Sequence, residues 1–137
     1  MPPSASEAFA SGGEGESTFG WKIPRTQRRE LLRRFPPAYR NTIADHVTLR
    51  TSASPDAPLP EENEGEVIGR ADDGGGVEAL AVRIGGTSDR PGGGTYHITW
   101  SLEDGREARE SNDVLADSGW VDLDEPVAIE LRPARWP

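Results

Sequence analysis

The sequence predicts one α+β domain in which most strands are antiparallel. Between residues 46 and 131, short segments of alternating apolar and polar residues are separated by turns rich in Gly, Pro and Asp. That spacing is typical of an antiparallel sheet. A basic segment with helical periodicity precedes the strands. A length of 137 residues suits a single domain with a core of moderate size.

The N-terminal part of the chain divides into a tail and the start of the folded domain. Residues 1–18 are mostly Ser, Gly, Glu and Ala, a composition that predicts a disordered tail, so the domain is expected to span residues 19–137. Pro24 suits the first turn of a helix that continues through 26–34. Pro36 and the proline after it end that helix.

The rest of the chain gives strand signals at regular intervals. They cover residues 46–51, 66–71, 77–84, 95–102, 121–123 and 127–131, and a short helix is expected within 108–115. The Gly-rich stretches 74–76 and 92–94 lie between these signals and are interpreted as simple turns. Backbone N–H groups in such turns can also bind phosphate, so this second interpretation stays open.

Composition and charge exclude several classes of protein. The net charge is −9, but residues 22–40 hold seven cations and one anion. An acidic body argues against an extended grip on nucleic acid, and the basic segment is either a solvated helix face or part of a site for one phosphate-bearing ligand. The absence of cysteine excludes disulfides and thiolate metal sites. Without an apolar membrane span or a signal-like leader, a cytoplasmic protein is expected, with no membrane partner.

One tetrapeptide pattern occurs twice, and it contains both histidines of the chain. His46-Val47-Thr48-Leu49 and His97-Ile98-Thr99-Trp100 share the order His, apolar, Thr, apolar. On a strand, the imidazole and hydroxyl of each motif point to one face about 7 Å apart. Two such strands side by side would aim two imidazoles and two hydroxyls into one cleft. The imidazoles could act as general base and general acid at one phosphorus, and the hydroxyls could bind its non-bridging oxygens.

Other interpretations of the histidines remain. Thr is common in strands, so each motif by itself is a weak signal, and the histidines could be ordinary surface or core residues. A metal site is disfavoured because two histidines without a further N or S ligand would need Asp45 or another carboxylate. No metal or cofactor is therefore expected.

Four further residues are candidates for ligand binding. Arg50 follows on the same strand face as His46 and could bind a phosphate oxygen. Tyr39 and Trp120 could each stack on a nucleobase, although core packing is the favoured interpretation for Trp120. The fourth candidate, Ser111, is implied by a resemblance to a known family.

The repeated motif resembles those of the two-histidine (2H) phosphoesterase superfamily. Within it, the chain is most similar to the cyclic phosphodiesterase domain of fungal and plant tRNA ligases, in which a Ser-Asn or Ala-Asn segment and a Leu follow the second motif. Ser111-Asn112 and Leu115 echo that segment, and the resemblance extends over residues 38–131. It implies a bilobal fold with approximate twofold symmetry. Because little sheet precedes His46 and the interval between the motifs is short, one lobe is expected to be trimmed.

The resemblance also implies an activity. It assigns the acid/base pair to His46 and His97, and phosphate binding to Thr48 and Thr99. We expect metal-independent hydrolysis of a 2′,3′-cyclic phosphate, or a related nucleotide phosphodiester, on a small nucleotide or an RNA terminus. Two alternatives stay open: a non-catalytic nucleotide- or phosphate-binding module in RNA repair or its regulation, and an acidic interaction domain in which the histidine pair is accidental.

Overall fold

The computed structural model describes residues 2–137, which form three helices and eight strands. The helices are α1 (Ala5–Ala10), α2 (Arg25–Arg34) and α3 (Glu110–Ser118). The strands are β1 (Ser17–Lys22), β2 (Asn41–Thr42), β3 (His46–Ala53), β4 (Glu64–Asp72), β5 (Val77–Arg83), β6 (His97–Leu102), β7 (Val121–Glu130) and β8 (Arg132–Trp136). All the pairings are antiparallel, and the sheet order is β7-β4-β5-β6-β3-β1-β8, with β2 paired to β6. The predicted α+β class with an antiparallel sheet is confirmed.

The sheet curls into a half-barrel around an aromatic core. Trp21 on β1 meets Tyr96 edge to face at 5.7 Å, and Trp100 on β6 meets Phe35 at 6.4 Å. Such pairs add to the stabilisation from apolar burial. The Trp100 indole also donates a hydrogen bond to the Phe35 carbonyl at 2.7 Å, which fixes the end of α2 to β6.

The sheet has two halves that meet between β3 and β6. One half contains β6, β5, β4 and β7, with the short β2 paired to β6, and the smaller half contains β3, β1 and β8. Within the described residues β1 pairs with β3 at five positions, whereas β3 pairs with β6 at Val47 opposite Ile98 alone. A short ladder lets the two halves diverge, and a cleft opens along this line.

Helix α2 confirms the prediction for residues 26–34. Pro24 precedes its first residue, and Leu31 turns into the core with 3% exposure. The Arg28 guanidinium donates hydrogen bonds to the carbonyls of Ile43 and Ala44. The helix therefore supports the chain that leads into β3. None of the helices in residues 2–137 has the length and apolar character that crossing a membrane requires.

The N-terminal segment differs from the predicted disordered tail, although Met1 lies outside the described residues. Residues 2–18 contain α1 and the start of β1. Ser4 and Glu7 form a capping box at the start of α1, and the Ala5 N–H donates to the Glu62 carboxylate at 3.0 Å. Ala8 is fully buried. The composition of this segment does not reveal the helix, because the helix depends on a local cap and on a contact with a residue 57 positions away.

The last two strands also differ from the prediction. The two predicted strands at 121–123 and 127–131 form one strand, β7. The pairing of β7 with β4 has a register shift between Val67 and Gly69. Strand β8 was not predicted, since Pro133 argues against a central strand. Pro133 is tolerated because β8 lies at the sheet edge and pairs with β1 alone.

Candidate functional site

The two repeated motifs lie side by side on neighbouring antiparallel strands. Because Val47 is opposite Ile98, the register sets His46 opposite Thr99 and Thr48 opposite His97. An approximate twofold axis through the Val47–Ile98 pair therefore relates the motifs. The two histidines are diagonal neighbours, about 7–8 Å apart at their backbones. Val47 and Ile98 are fully buried, which holds the His and Thr side chains on the opposite face.

All four motif side chains line one cleft of about 510 Å³. Other side chains on its walls are Phe9, Arg50, Arg90, Arg109, Asn112 and Trp136. Among the described residues, no carboxylate lines this cleft, although the chain contains 24 acidic residues. Three arginines and two imidazoles give the cleft a cationic lining, which suits an anionic ligand.

His46 is oriented by the carboxylate of the residue before it. Its Nδ1 lies 3.0 Å from Asp45 Oδ2, and the Lys22 ammonium donates to the same oxygen at 2.6 Å. Partial burial acts to raise the pKa of Asp45, but the hydrogen bonds from Lys22 and His46 outweigh it and hold that pKa below its usual range. Asp45 is therefore ionised at neutral pH and accepts the Nδ1 proton. This leaves His46 Nε2 as the ring nitrogen that can face a ligand.

Trp136 on β8 forms the wall beside His46. The two rings lie 4.8 Å apart, and the Lys22 ammonium sits 4.6 Å from the indole. Packing against the indole restrains the imidazole. Trp136 was not among the predicted site residues, because the strand that carries it was not predicted.

His97 is more deeply buried than His46 and has a different partner. The residue is 8% exposed, and its Nδ1 donates a hydrogen bond to the Thr95 carbonyl at 2.8 Å. Burial lowers the pKa of His97 to about 4, with smaller contributions in the same direction from the charges of Arg90 and His46; the Thr95 hydrogen bond opposes the shift. His97 is thus neutral at pH 7, and its Nε2 carries a free lone pair.

The two threonines have unequal surroundings. Thr48 borders the cleft directly. Thr99 is 7% exposed, and its hydroxyl lies 2.9 Å from that of Ser111 and 3.3 Å from the Ala108 carbonyl. Ser111 itself is fully buried on α3 and does not line the cleft. The structure therefore places Ser111 behind Thr99, where it orients the hydroxyl and has no direct access to a ligand.

Two of the other candidates lie outside the cleft. The Tyr39 hydroxyl bonds to Asp72 at the β4–β5 turn. Trp120 covers Gly69 on β4 so closely that a Cβ there would lie 2.0 Å from its ring, and its indole N–H donates to Asp122. Neither ring lines the cleft, so neither is placed to stack on a base bound there.

The Gly-rich stretches and the basic segment have separate locations. Residues 74–76 form the β4–β5 turn, where the Asp73 carboxylate accepts from backbone N–H groups. Gly92 and Gly93 do line the cleft, in the loop before β6. From the basic segment 22–40, Lys22 reaches the site through Asp45, while the arginines of α2 do not line the cleft.

Two further cleft residues, Arg90 and Asn112, were not among the predicted site residues. The Arg90 guanidinium donates to Asn112 Oδ1 at 2.8 Å and joins the loop before β6 to α3. Asn112 belongs to the Ser-Asn segment that resembles the family, whereas Arg90 had no signal except its position close to a motif. Over residues 2–137, no three His, Asp or Glu side chains converge as metal ligands would.

Comparisons with family models, curated proteins and solved structures found no match for this chain. The molecule is defined by its own architecture: an antiparallel α+β domain whose two sheet halves meet at a cationic cleft. At the floor of that cleft, two His-x-Thr strands run in opposite directions.

Proposed function

We propose that this protein is a two-histidine phosphoesterase that hydrolyses a 2′,3′-cyclic phosphate, or a related nucleotide phosphodiester, without a metal. The observation that carries the proposal is the antiparallel register of the two motifs around Val47 and Ile98. With Nδ1 of each histidine engaged by an acceptor, both Nε2 atoms are left for chemistry at one phosphorus.

The surroundings of the histidines favour different roles for them. His97 is held neutral by burial, so we assign it as the base that accepts a proton from the attacking water. Asp45 stabilises an imidazolium at His46, so we assign His46 as the acid. The water oxygen forms a bond to phosphorus, its proton moves to His97 Nε2, and one P–O bond of the ring breaks. The departing ribose oxygen takes the proton from His46 Nε2.

The threonines and the charge of the cleft support the same chemistry. Thr48 and Thr99 lie on opposite sides of the twofold axis. The Thr48 hydroxyl can donate to one non-bridging oxygen, and the Thr99 hydroxyl can donate to the other when it releases the Ala108 carbonyl and accepts from Ser111. A cleft lined by arginines and free of carboxylates among the described residues favours a phosphate ester over a neutral or cationic substrate.

The fold is compatible with a bilobal two-histidine phosphoesterase that has one reduced lobe. The half with β6 has five strands, counting the two-residue β2 that pairs with β6, and the half with β3 has three. In the smaller half, β8 supplies the outer strand from the far end of the sequence, which compensates for the short segment before His46.

The test is hydrolysis of a nucleoside 2′,3′-cyclic phosphate by the purified full chain in EDTA. We expect turnover, and we expect His46→Ala and His97→Ala each to lower kcat by about 10²-fold or more. Arg29→Ala, on the exposed side of α2, is the matched control and should retain activity. Turnover that survives both histidine changes would disprove the mechanism. Ligand-induced thermal stabilisation without turnover would replace it with the non-catalytic binding module.

A further inference from the structure

We propose that the cleft contains a second phosphate subsite, formed by Arg50 and Arg90 next to the His/Thr cluster, and that the substrate carries two phosphoryl groups. This inference rests on the proposed function and specifies its substrate class. The second group is either the neighbouring phosphodiester of an oligonucleotide or a 5′-phosphate on the same nucleotide. Both present the same anionic chemistry to the arginines.

Arg50 lies on the motif face of β3, two residues beyond Thr48. A bulge in β3 separates the two residues, because Thr48 is opposite Gly20 and Arg50 is opposite its neighbour Phe19. Arg50 still lines the same cleft as Thr48 and His97. The arginine therefore stands next to the His/Thr cluster, where it can bind a second phosphoryl group.

The N-terminal segment fixes the Arg50 side chain in the cleft wall. Its guanidinium donates to the carbonyls of Phe9 and Gly13, and the side chain is 17% exposed. Gly12 packs so closely that a Cβ there would lie 2.3 Å from Nη1. Two of the five guanidinium N–H donors have these carbonyl partners, which leaves three for a ligand.

Arg90 reaches the same end of the cleft from the other sheet half. It donates to the Gly93 carbonyl and to Asn112 Oδ1, again leaving three N–H donors. Phe9, whose carbonyl binds Arg50, lies against Gly92 in the Arg90 loop: a Cβ on Gly92 would be 2.3 Å from the Phe9 ring. This contact brings the two arginine-bearing segments together.

The charges at this end lack a strong counter-ion within the protein. Arg90 has no carboxylate within ion-pair distance among the described residues, and Arg50 has Glu14 at 3.8 Å, a side chain 94% exposed. Neutral carbonyl and amide oxygens do not neutralise the positive charge of a partly buried guanidinium group. A phosphate does so and can accept two hydrogen bonds from the same group.

Three substrates separate the two sources of the second phosphate. They are a nucleoside 2′,3′-cyclic phosphate, the same compound with a 5′-phosphate, and a dinucleotide that ends in the cyclic phosphate. We expect kcat/KM for one or both of the last two to exceed that of the first by about tenfold or more. The preferred compound identifies the source.

Arginine variants then test the subsite itself. The substrate preference is the ratio of kcat/KM for the preferred compound to kcat/KM for the simple cyclic phosphate. Arg50→Ala and Arg90→Ala should bring this ratio close to one, and Arg90→Lys should retain part of the preference. The control Arg29→Ala should leave the wild-type ratio unchanged. A wild-type ratio near one would overturn the proposal. So would variants that lower kcat/KM by the same factor for all three substrates, because the arginines would then bind the reacting phosphate.

A binding measurement keeps the subsite testable if the catalytic proposal fails. Calorimetry would compare a nucleoside 3′-phosphate with the corresponding 3′,5′-bisphosphate. We expect the second phosphate to improve Kd about tenfold in the wild-type chain and much less in the arginine variants. Equal affinities for the two ligands would overturn the subsite regardless of turnover.

Discussion

Val47 lies opposite Ile98 where β3 pairs with β6, and this one pairing brings together side chains 51 positions apart in the chain. Both residues are fully buried, so the strands cannot rotate their His and Thr side chains away from the cleft. A shift of one residue in this register would turn each motif to the wrong face.

The Asp45–His46 contact should be needed for full activity. Asp45→Asn removes the negative charge 3.0 Å from His46 Nδ1, so the carboxylate no longer orients the imidazole that we propose as acid. We expect kcat to fall by about tenfold or more. Asp104→Asn, an exposed ion-pair partner of Arg40, is the matched control. An unchanged kcat in Asp45→Asn would show that the carboxylate has no role in proton transfer.

The acid limb of kcat/KM should report His97. Burial lowers its pKa to about 4, so the base stays unprotonated as the pH falls through 6 and 5. We therefore expect kcat/KM to decline only near pH 4, well below the range of an exposed histidine. Initial rates between pH 4 and 9 at constant ionic strength give the profile. A decline centred near 6.5 would contradict the assignment of His97 as base.

His97 should also make stability depend on pH. Its pKa is about 6.5 in the unfolded chain and about 4 in the folded one, so between these values the unfolded state binds more protons. Stability therefore falls as the pH drops from 6.5 to 4, by about 3 kcal/mol in total. Asp45 loses its contribution only at lower pH, because its pKa is held below 3.8. Urea titrations should show this loss in the wild-type chain and a clearly smaller one in His97→Gln.

Ser111 should affect turnover through Thr99. Ser111→Ala removes the hydroxyl 2.9 Å from Thr99 Oγ1, so the threonine is free to rotate away from a phosphate. We expect kcat to fall severalfold and the free energy of unfolding to fall by about 1 kcal/mol. Ser101→Ala is the control, since Ser101 is equally buried but bonds to Glu78 outside the cleft. Equal activity losses in the two variants would point to a general packing effect.

Glu78 should be the most costly polar residue to change in the sheet. It is fully buried and accepts hydrogen bonds from the Arg70 guanidinium, the Ala38 N–H and the Ser101 hydroxyl. Glu78→Gln leaves Arg70 without its counter-ion, and we expect a loss of about 3 kcal/mol in the free energy of unfolding. That value is at the low end for a buried pair because the Arg70 side chain is 37% exposed.

A neighbouring ion pair provides the comparison for Glu78. Arg83 and Glu66 join the same two strands but are 38% and 42% exposed. We expect Glu66→Gln to cost less than about 1 kcal/mol in the same denaturation experiment. Similar losses for the two variants would mean that burial does not determine the strength of these pairs.

The strand pattern was largely predictable because local alternation encodes it. Residues 46–51, 66–71 and 77–84 lie in observed strands within a few positions, and the helix after Pro24 has nearly its predicted length. The predictions were wrong where order depends on distant partners. Helix α1 needs Glu62, and β8 needs the edge position beside β1.

The candidate site was predictable in part for the same reason. The face shared by His46 and Thr48 follows from strand periodicity, as does that shared by His97 and Thr99. Arg90 and Trp136 have no such pattern, since a loop and an edge strand bring them to the cleft. Tyr39 and Trp120 were plausible by residue type, but the fold places them elsewhere.

The sequence by itself determined that each His-x-Thr motif has its imidazole and hydroxyl on one face of a strand, because the alternation of side chains is a local property of extended backbone. Only the tertiary structure decided that the two strands would be neighbours in opposite directions, since strand pairing joins segments that carry no local record of their partner. The same pairing buried His97, brought Arg50 and Arg90 to one end of the cleft, and left its lining without a carboxylate among the described residues. Burial and proximity, which set the charge and reactivity of these groups, arise only when the chain folds.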